Sequence, residues 1–204
     1  HFVSKPTTSE AAKRGTGIHE AIAYTLIHKE FKPNMTGGLT VPVSNAIDWL
    51  IRQAVVDEQL EPLPRVSLFV EQRIYNSIPD TDGTADIVAI YTAGGEHHAL
   101  IVDWKSGYAT YDAPTLYQLK AYALGLLEAG VKRVKCVIVP VDRVANILAE
   151  DVVSEVLYTQ ADITAIKQQI EDIIHEAKHA DDIQPQPGKY CNWCNKTTTC
   201  TALV

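Results

Sequence analysis

The sequence has no long apolar run, no low-complexity stretch and no excess of positive charge. No segment approaches the roughly 18 consecutive apolar residues that a membrane-spanning helix needs, so we expect a soluble, cytoplasmic protein with no membrane partner. Its 18 Lys and Arg residues are outnumbered by 25 Asp and Glu residues, which gives a formal net charge of −7. An acidic total argues mildly against nucleic acid as a partner, because binding to a polyanion draws on basic side chains.

The composition is otherwise that of a folded globular chain, with 46% hydrophobic and 21% charged residues among 204. A chain of this length buries roughly 70% of the surface that its unfolded form exposes, so it can fold without disulfides or a structural metal. We therefore predict a single domain over residues 1–204. It comprises N-terminal helices (1–62), a core (63–180) and a cysteine-bearing tail (181–204).

The spacing of apolar residues predicts the element order α, α, β, β, β, α, β, β, α. The helices are expected over residues 18–31, from Ser44 as N-cap after a loop at 32–43, from about Pro114 to Gly130, and over residues 163–177. The strands are expected over residues 65–74, 84–92, 100–105, 134–141 and 153–158, the last at a sheet edge. Hairpins combined with one helical crossover imply an α/β fold with a mixed central sheet flanked by helices.

The pair Gly94-Gly95 lies between two predicted strands and is typical of a two-residue hairpin, because a type I′ turn needs positive φ at both central residues. This turn sets a register in which Asp86 lies opposite Asp103. Side chains alternate along a strand, so Asp103 and Lys105 should share one face. Opposed Cβ atoms lie about 4.5–5.5 Å apart, where two like charges are destabilising. We therefore expect a cationic group between the two carboxylates.

A divalent cation suits this position, because Mg²⁺ prefers oxygen ligands and keeps waters that leave room for a phosphate oxygen and an attacking hydroxide. Lys105 could then orient or deprotonate the water and balance charge on the phosphorus. The simpler alternative is that Asp86 closes a turn while Asp103 and Lys105 form an exposed pair at a strand end. The Asp-x-Lys spacing alone does not distinguish these interpretations.

The helix after the third strand carries Gln118 and Tyr122 at positions i and i+4, which places both on one face. Gln118 could bind a phosphate or a base edge, and Tyr122 could bind a phosphate or stack on a base. The alternative is an amphipathic core helix whose tyrosine is simply half-buried.

Four short motifs occur in order along the chain: Gly15-Thr16-Gly17 before His19, Gly83-x-x-Asp86, Asp103-Trp104-Lys105-Ser106-Gly107, and Gln118-x-x-x-Tyr122. This ordered set resembles the RecB-like branch of the PD-(D/E)XK nuclease superfamily. The branch includes phage exonucleases, nuclease domains of bacterial recombination helicases and CRISPR-associated adaptation nucleases. The likeness spans roughly residues 15–200 and implies a restriction-endonuclease-like αβββαβ core.

The resemblance also implies a role for each matched residue. It makes Asp86 and Asp103 ligands of Mg²⁺ or Mn²⁺ and Lys105 the catalytic lysine. Further implied roles are the Trp104 main-chain carbonyl and His19 as metal ligands, Glu71 as an acidic residue near the site, and Gln118 and Tyr122 as substrate-positioning residues. Taken alone, His19 would be an ordinary helix residue and Glu71 an exposed strand carboxylate.

The tail contains Cys191-x-x-Cys194-x₅-Cys200, a dense spacing of metal-ligating residues. Several RecB-like nucleases hold a [4Fe–4S] cluster with three such cysteines and a fourth that precedes the nuclease motifs. Here the remaining Cys136 lies in a predicted central strand, where we expect it to be buried and uninvolved. The fourth ligand is therefore not identified, and zinc or no metal remain alternatives. A cluster would fasten the tail to the N-terminal helices without taking part in hydrolysis.

From the residues and the resemblance we expect a metal-dependent DNA nuclease, an exonuclease acting on linear or single-stranded DNA ends. Its context would be phage or bacterial recombination and repair, in the host cytoplasm if the protein is phage-encoded, with a recombination or single-strand-binding partner. The alternatives are a non-catalytic module that binds DNA ends or a protein partner, an endonuclease or flap cutter, and an RNA-directed enzyme. The net charge of −7 does not exclude DNA, because a metal would partly neutralise the carboxylate cluster.

Overall fold

The computed structural model describes residues 10–35, 37–56, 66–107, 111–143, 153–179, 187–188, 191 and 200. Its elements are α1 (Glu10–His28), α2 (Gly37–Val56), β1 (Ser67–Ile74), β2 (Gly83–Ala93), β3 (Glu96–Lys105), α3 (Tyr117–Glu128), β4 (Arg133–Pro140), β5 (Ser154–Thr159) and α4 (Ile163–Lys178), with 3₁₀ turns at Ala113–Thr115 and Gln160–Asp162. The predicted order of helices and strands is confirmed. None of the helices in the described part of the chain combines the length and the apolar character that a membrane span requires.

The five strands form one mixed sheet in the order β1-β2-β3-β4-β5. All neighbours are antiparallel except β3 and β4, which are parallel and are joined through α3. The predicted mixed sheet flanked by helices is confirmed, as is the edge position of β5. The chain divides into two compact units, His1–Lys167, which contains the sheet, and Gln168–Val204, which contains most of α4 and the tail.

One face of the sheet packs against α1 and α2. Ile18 and Ile22 recur on α1 at the spacing of a buried helical stripe, and both are at most 1% exposed. They share a core cluster with Val43 of α2 and with Val102 and Trp104 of β3. Trp104 is 1% exposed and meets Trp49 edge-on, with ring centroids 5.9 Å apart. This packing orients α1 over the end of β3.

The β2–β3 hairpin has the predicted turn and register. Gly94 and Gly95 have φ values of 59° and 81°, in the left-handed region that a type I′ turn requires. The pairing runs from Ala93 opposite Glu96 to Ile87 opposite Val102, as predicted. The next two positions would be Asp86 and Asp103. There the strands are no longer paired through their backbones.

The start of α2 was predicted incorrectly. The helix begins at Gly37, so residues 37–43 are not a loop and Ser44 is an interior residue rather than an N-cap. Pro42 has no N–H to donate to the Gly38 carbonyl, which normally disfavours an interior proline. Here the Arg14 guanidinium approaches that carbonyl at 3.5 Å, and Val43 is fully buried in the core. Tertiary contacts therefore outweigh the local helix-breaking signal.

Other boundaries also differ from the prediction. Helix α1 begins at Glu10 and ends at His28, where Lys29 adopts a left-handed φ of 59°. Strand β3 begins at Glu96, directly after the turn, because hairpin pairing extends the ladder to exposed residues that lack apolar periodicity. Ahead of α3 the chain forms the turn Ala113–Thr115, and the N-cap is Leu116, without a side-chain cap bond. Gly130 follows the C-cap of α3 with φ 97°, so the predicted end is confirmed.

Candidate active site

Asp103 and Lys105 lie on the same face at the end of β3, as predicted from strand alternation. The Lys105 Nζ atom is 2.7 Å from the Asp103 Oδ2 atom. Asp103 is only 5% exposed, whereas the Lys105 side chain is 24% exposed and reaches solvent. Trp104 between them points into the opposite core. The pair is thus a buried carboxylate with an ammonium group at its outer edge, and not an exposed strand-end pair.

Asp103 Oδ2 is buried, and among the described residues only Lys105 faces it with a polar group. The Lys105 ammonium, 2.7 Å from this oxygen, is its ion-pair partner. Burial raises the pKa of Asp103 from its ordinary value, and the neighbouring Lys105 charge opposes this rise without cancelling it. A buried carboxylate oxygen in this state is ready to accept a further cationic partner.

Asp86, at the start of β2, links α1 to β3 through both carboxylate oxygens. Oδ2 accepts a hydrogen bond of 2.7 Å from the Trp104 backbone N–H. Oδ1 lies 3.1 Å from His19 Nδ1, which must be the donor because an ionised carboxylate only accepts. These side-chain bonds replace backbone pairing at this position of the hairpin.

The negative charges of Asp86 and Asp103 stabilise the protonated form of His19. Burial lowers the pKa of His19, but the hydrogen bond that His19 donates to Asp86 and the charges of Asp86 and Asp103 outweigh burial and raise it. Instead of the single cationic group that we expected between the two aspartates, the site has two basic side chains, one for each carboxylate. His19 accompanies Asp86, and Lys105 accompanies Asp103.

Glu71 lies on β1 beside the same site. The β1–β2 ladder pairs Val70 with Ile87 and Gln72 with Ala85, but Glu71 and Asp86, which lie between these pairs, are not paired. Glu71 has φ 51°, a left-handed conformation that costs a non-glycine residue roughly 1–3 kcal/mol. Partial burial and the negative charge of Asp86 raise the pKa of Glu71, which places its carboxyl within electrostatic reach of the site.

Gln118 and Tyr122 contact each other on α3, as their spacing predicted. Gln118 Nε2 donates to the Tyr122 hydroxyl at 2.8 Å, and that hydroxyl donates to the Thr84 carbonyl, also at 2.8 Å. Tyr122 is 5% exposed, so it is buried rather than half-buried. A Cβ added to Gly83 would lie 2.8 Å from the Tyr122 ring. This close approach explains the glycine of the Gly83-x-x-Asp86 motif, while a role of both residues toward substrate stays a prediction.

The donor set fits a divalent metal. Asp103 keeps lone pairs beyond its contact with Lys105, and Asp86 keeps lone pairs beyond its two bonds. The nearby Trp104 carbonyl and the carboxylates are hard oxygen donors, which suit Mg²⁺ or Mn²⁺. Among the described residues, no three His, Cys, Asp or Glu side chains are already gathered around one point. The assignment of His19, Asp86, Asp103 and the Trp104 carbonyl as ligands therefore stays a prediction.

Sequence reasoning missed a charged contact that joins α1 to the end of β3. Asp142, which follows β4, accepts bonds of 2.9 and 2.5 Å from the two Arg14 Nη atoms and one of 2.5 Å from the Gly107 N–H. The Arg14 bond lowers the pKa of Asp142 from its ordinary value. Nearby, a Cβ at Gly15 would lie 2.9 Å from Ser106 Oγ, so the two segments touch closely. No local pattern pairs Arg14 with a residue 128 positions away.

The cysteines of the tail belong to the unit Gln168–Val204. Cys191 Sγ accepts a bond of 3.3 Å from the Gly188 N–H, and Cys200 is partly buried. Cys194 lies outside the described residues, so the predicted iron–sulfur or zinc site is neither supported nor contradicted. Cys136 is fully buried in β4, as expected, and burial raises the pKa of its thiol.

The sequence was also compared with known proteins. A search of curated proteins finds no match. Among solved structures, the chain is similar to one described as "Crystal structure of SSO0001", with 15% identity, a TM-score of 0.34 and coverage of 100% of this chain and 90% of that one. A family model matches residues 80–201, more than half of the chain, including Asp86, Asp103, Lys105, Gln118 and Tyr122. The chain therefore belongs to the PD-(D/E)XK nuclease superfamily.

Proposed function

We propose that the protein is a DNA nuclease that depends on Mg²⁺ or Mn²⁺ and acts as an exonuclease on DNA ends, in phage or bacterial recombination and repair. The observation that carries the proposal is the buried Asp103 carboxylate, which is paired at 2.7 Å with the partly exposed Lys105 ammonium and feels the negative charge of Asp86. Lys105 engages this carboxylate from its outer edge, and the carboxylate keeps further lone pairs that a metal could use.

In this proposal Asp86, Asp103, the Trp104 carbonyl and His19 hold the metal. When bound, a divalent metal lowers the pKa of a water and stabilises charge on a phosphate. Asp86 is oriented for this role by its bonds to His19 on α1 and to the Trp104 N–H on β3. Glu71, on the adjoining strand, adds negative charge at the same edge.

Lys105 would orient the attacking water and balance the charge that develops on the phosphate. Two features support this role. Its ammonium reaches solvent at the outer edge of the pair, and Asp103 lies 2.7 Å from it and restrains its position. Gln118 and Tyr122 would act by holding the start of β2, because the Tyr122 hydroxyl bonds the Thr84 carbonyl two residues before Asp86.

The test uses linear DNA labelled at one end, with Mg²⁺, with Mn²⁺ and with a chelator. Asp103→Asn and Lys105→Met should each reduce metal-dependent cleavage at least about a hundredfold, a size typical for loss of one charge-stabilising group. The matched controls are Asp48→Asn and Lys132→Met, which remove the same charges from exposed positions. Undiminished cleavage by Asp103→Asn would refute the assignment.

The form of the DNA distinguishes the modes of cutting. An exonuclease should degrade linear DNA progressively from its ends and leave covalently closed circles intact. Cutting of closed circles would indicate an endonuclease instead. DNA binding without any metal-dependent cleavage would indicate a non-catalytic module, and preferential hydrolysis of RNA would indicate an RNA-directed enzyme.

For the tail, we propose that Cys191, Cys194 and Cys200 hold a [4Fe–4S] cluster whose fourth ligand is not identified, with zinc as the alternative. The support is the spacing of the three cysteines. Anaerobically purified protein should contain iron and sulfide and absorb visible light. Equimolar zinc would support the alternative, and metal-free protein would contradict both.

A further inference from the structure

A cleft of about 750 Å³ opens beside the proposed active site. It follows one side of α1 from Gly15 to His28, and Lys32 and Glu71 line its other parts. His19 and Glu71 belong both to this cleft and to the surroundings of Asp86. Whatever occupies the cleft therefore lies next to the proposed metal site. Its volume is within the range of about 300–1,000 Å³ that is typical of small-ligand sites.

Two aromatic rings that stack on each other line the cleft. Tyr24 and His28 lie one helical turn apart on α1, with ring centroids 4.1 Å apart and an angle of 29° between the ring planes. The Tyr24 hydroxyl donates to Glu30 Oε1 at 3.2 Å, which restrains the ring. His28 is exposed. The two rings cover each other's inner faces, so this stacked pair, the Tyr24–His28 surface, offers the cleft its outer faces and edges.

The charged residues of the cleft favour binding of a base by stacking over binding of a phosphate backbone by positive charge. Lys32 Nζ lies 3.2 Å from Glu20 Oε2, so this lysine is already partly neutralised. Glu71 adds a further acidic group at the end near the active site. A backbone-tracking surface would need a surplus of positive charge, whereas stacking on aromatic rings needs only an accessible base face. Bases expose their faces when they are unpaired, and not inside a duplex.

We propose that this cleft binds an unpaired nucleotide of the DNA substrate, with its base stacked on the Tyr24–His28 surface and its phosphate directed toward Asp86 and Asp103. The proposal rests on the proposed nuclease function and narrows its substrate to DNA with a single-stranded end. Stacking of one base on an aromatic side chain contributes enough binding energy to change affinity about tenfold or more.

The experiment compares a single-stranded oligonucleotide with a blunt duplex of the same sequence. Binding is measured by fluorescence anisotropy in chelator, and cleavage is measured in Mg²⁺ as separate kcat and KM. Tyr24→Leu should raise both Kd and KM about tenfold for the single strand, with kcat within about twofold of the original. Tyr24→Phe keeps the ring and should restore affinity. Tyr75→Leu, which removes an exposed tyrosine on another surface, is the matched control.

The two proposals fail in different ways. If the protein binds the single strand through Tyr24 but cleaves nothing, the cleft is supported and the nuclease function is refuted. Unchanged Kd and KM for Tyr24→Leu would overturn the cleft and leave the nuclease function standing. An equal loss on the blunt duplex would also overturn it. His28→Ala changes an exposed residue at the end of α1, so it carries the same test if Tyr24→Leu fails to fold.

Discussion

Replacing Asp142 should loosen the contact between α1 and the end of β3. Its carboxylate accepts two bonds from Arg14 and one from the Gly107 N–H, and its side chain is 12% exposed. Asp142→Ala removes all three bonds. Asp142→Asn keeps the shape and one acceptor oxygen but removes the negative charge that the guanidinium faces. The two variants together separate the effect of charge from the effect of lost hydrogen bonds.

The size of each effect follows from the exposure of the partners. The Arg14 side chain is 40% exposed, so we assign its ion pair about 1 kcal/mol, the upper end for surface pairs. The bond from the Gly107 N–H to an ionised carboxylate is worth about 1.5 kcal/mol. Asp142→Ala should therefore lower the free energy of unfolding by about 2.5 kcal/mol. Asp142→Asn retains part of the bonding and should lower it by about 1 kcal/mol.

The Asp142 contribution should also depend on pH. Because Arg14 and the Gly107 N–H depress the pKa of Asp142 in the folded state, its stabilising effect is complete above the unfolded pKa of about 3.9. The effect is lost as pH falls through the lower, folded pKa. The difference in unfolding free energy between the original protein and Asp142→Asn should thus be constant above about pH 5 and shrink below about pH 4.

The assay is urea denaturation at several pH values, with Asp48→Asn as a control that removes an exposed carboxylate from α2. A double-mutant cycle with Arg14→Gln isolates the ion pair, since a genuine pair gives a coupling energy that the single variants lack. If Asp142→Asn matches the original protein within about 0.3 kcal/mol, and the coupling to Arg14 is absent, the reasoning is wrong.

Three further outcomes are expected. Gly83→Ala places a Cβ 2.8 Å from the Tyr122 ring and should lower the free energy of unfolding by about 1–3 kcal/mol, measurable in urea; an unchanged midpoint would contradict the close packing. Glu71→Gly relieves the strain of a non-glycine residue in the left-handed conformation and should raise the free energy of unfolding by about 1 kcal/mol, while cleavage declines. A lower free energy of unfolding would show that the Glu71 backbone is not strained. Mg²⁺ at about 100 times its Kd should stabilise the original protein by about 2.7 kcal/mol and should stabilise the Asp103→Asn variant far less, as measured by thermal unfolding. Equal shifts of the melting temperature in both proteins would show that the metal binds elsewhere.

Local rules account for what was predicted well. The φ values required at Gly94 and Gly95 determined the hairpin register, and the alternation of side chains placed Asp103 and Lys105 on one face. The turn conformation and the alternation of side chains both depend only on neighbouring residues, so they can be predicted from the sequence. The start of α2 was predicted incorrectly because its support is distant. Pro42 is tolerated there by core packing and by the approach of Arg14 to the Gly38 carbonyl.

The sequence by itself determined the order of the elements, the register of the hairpin and the placement of Asp86 near the start of β2 and of Asp103 near the end of β3. Only the tertiary structure showed that His19 bonds Asp86 and that Asp142 joins α1 to Gly107. It also showed that Asp103 is buried while its partner Lys105 reaches solvent. Such contacts join residues far apart in sequence, and their energies depend on burial and exact approach. Periodicity and turn chemistry act over a few residues. They carry no information about contacts between distant residues or about the energies of those contacts.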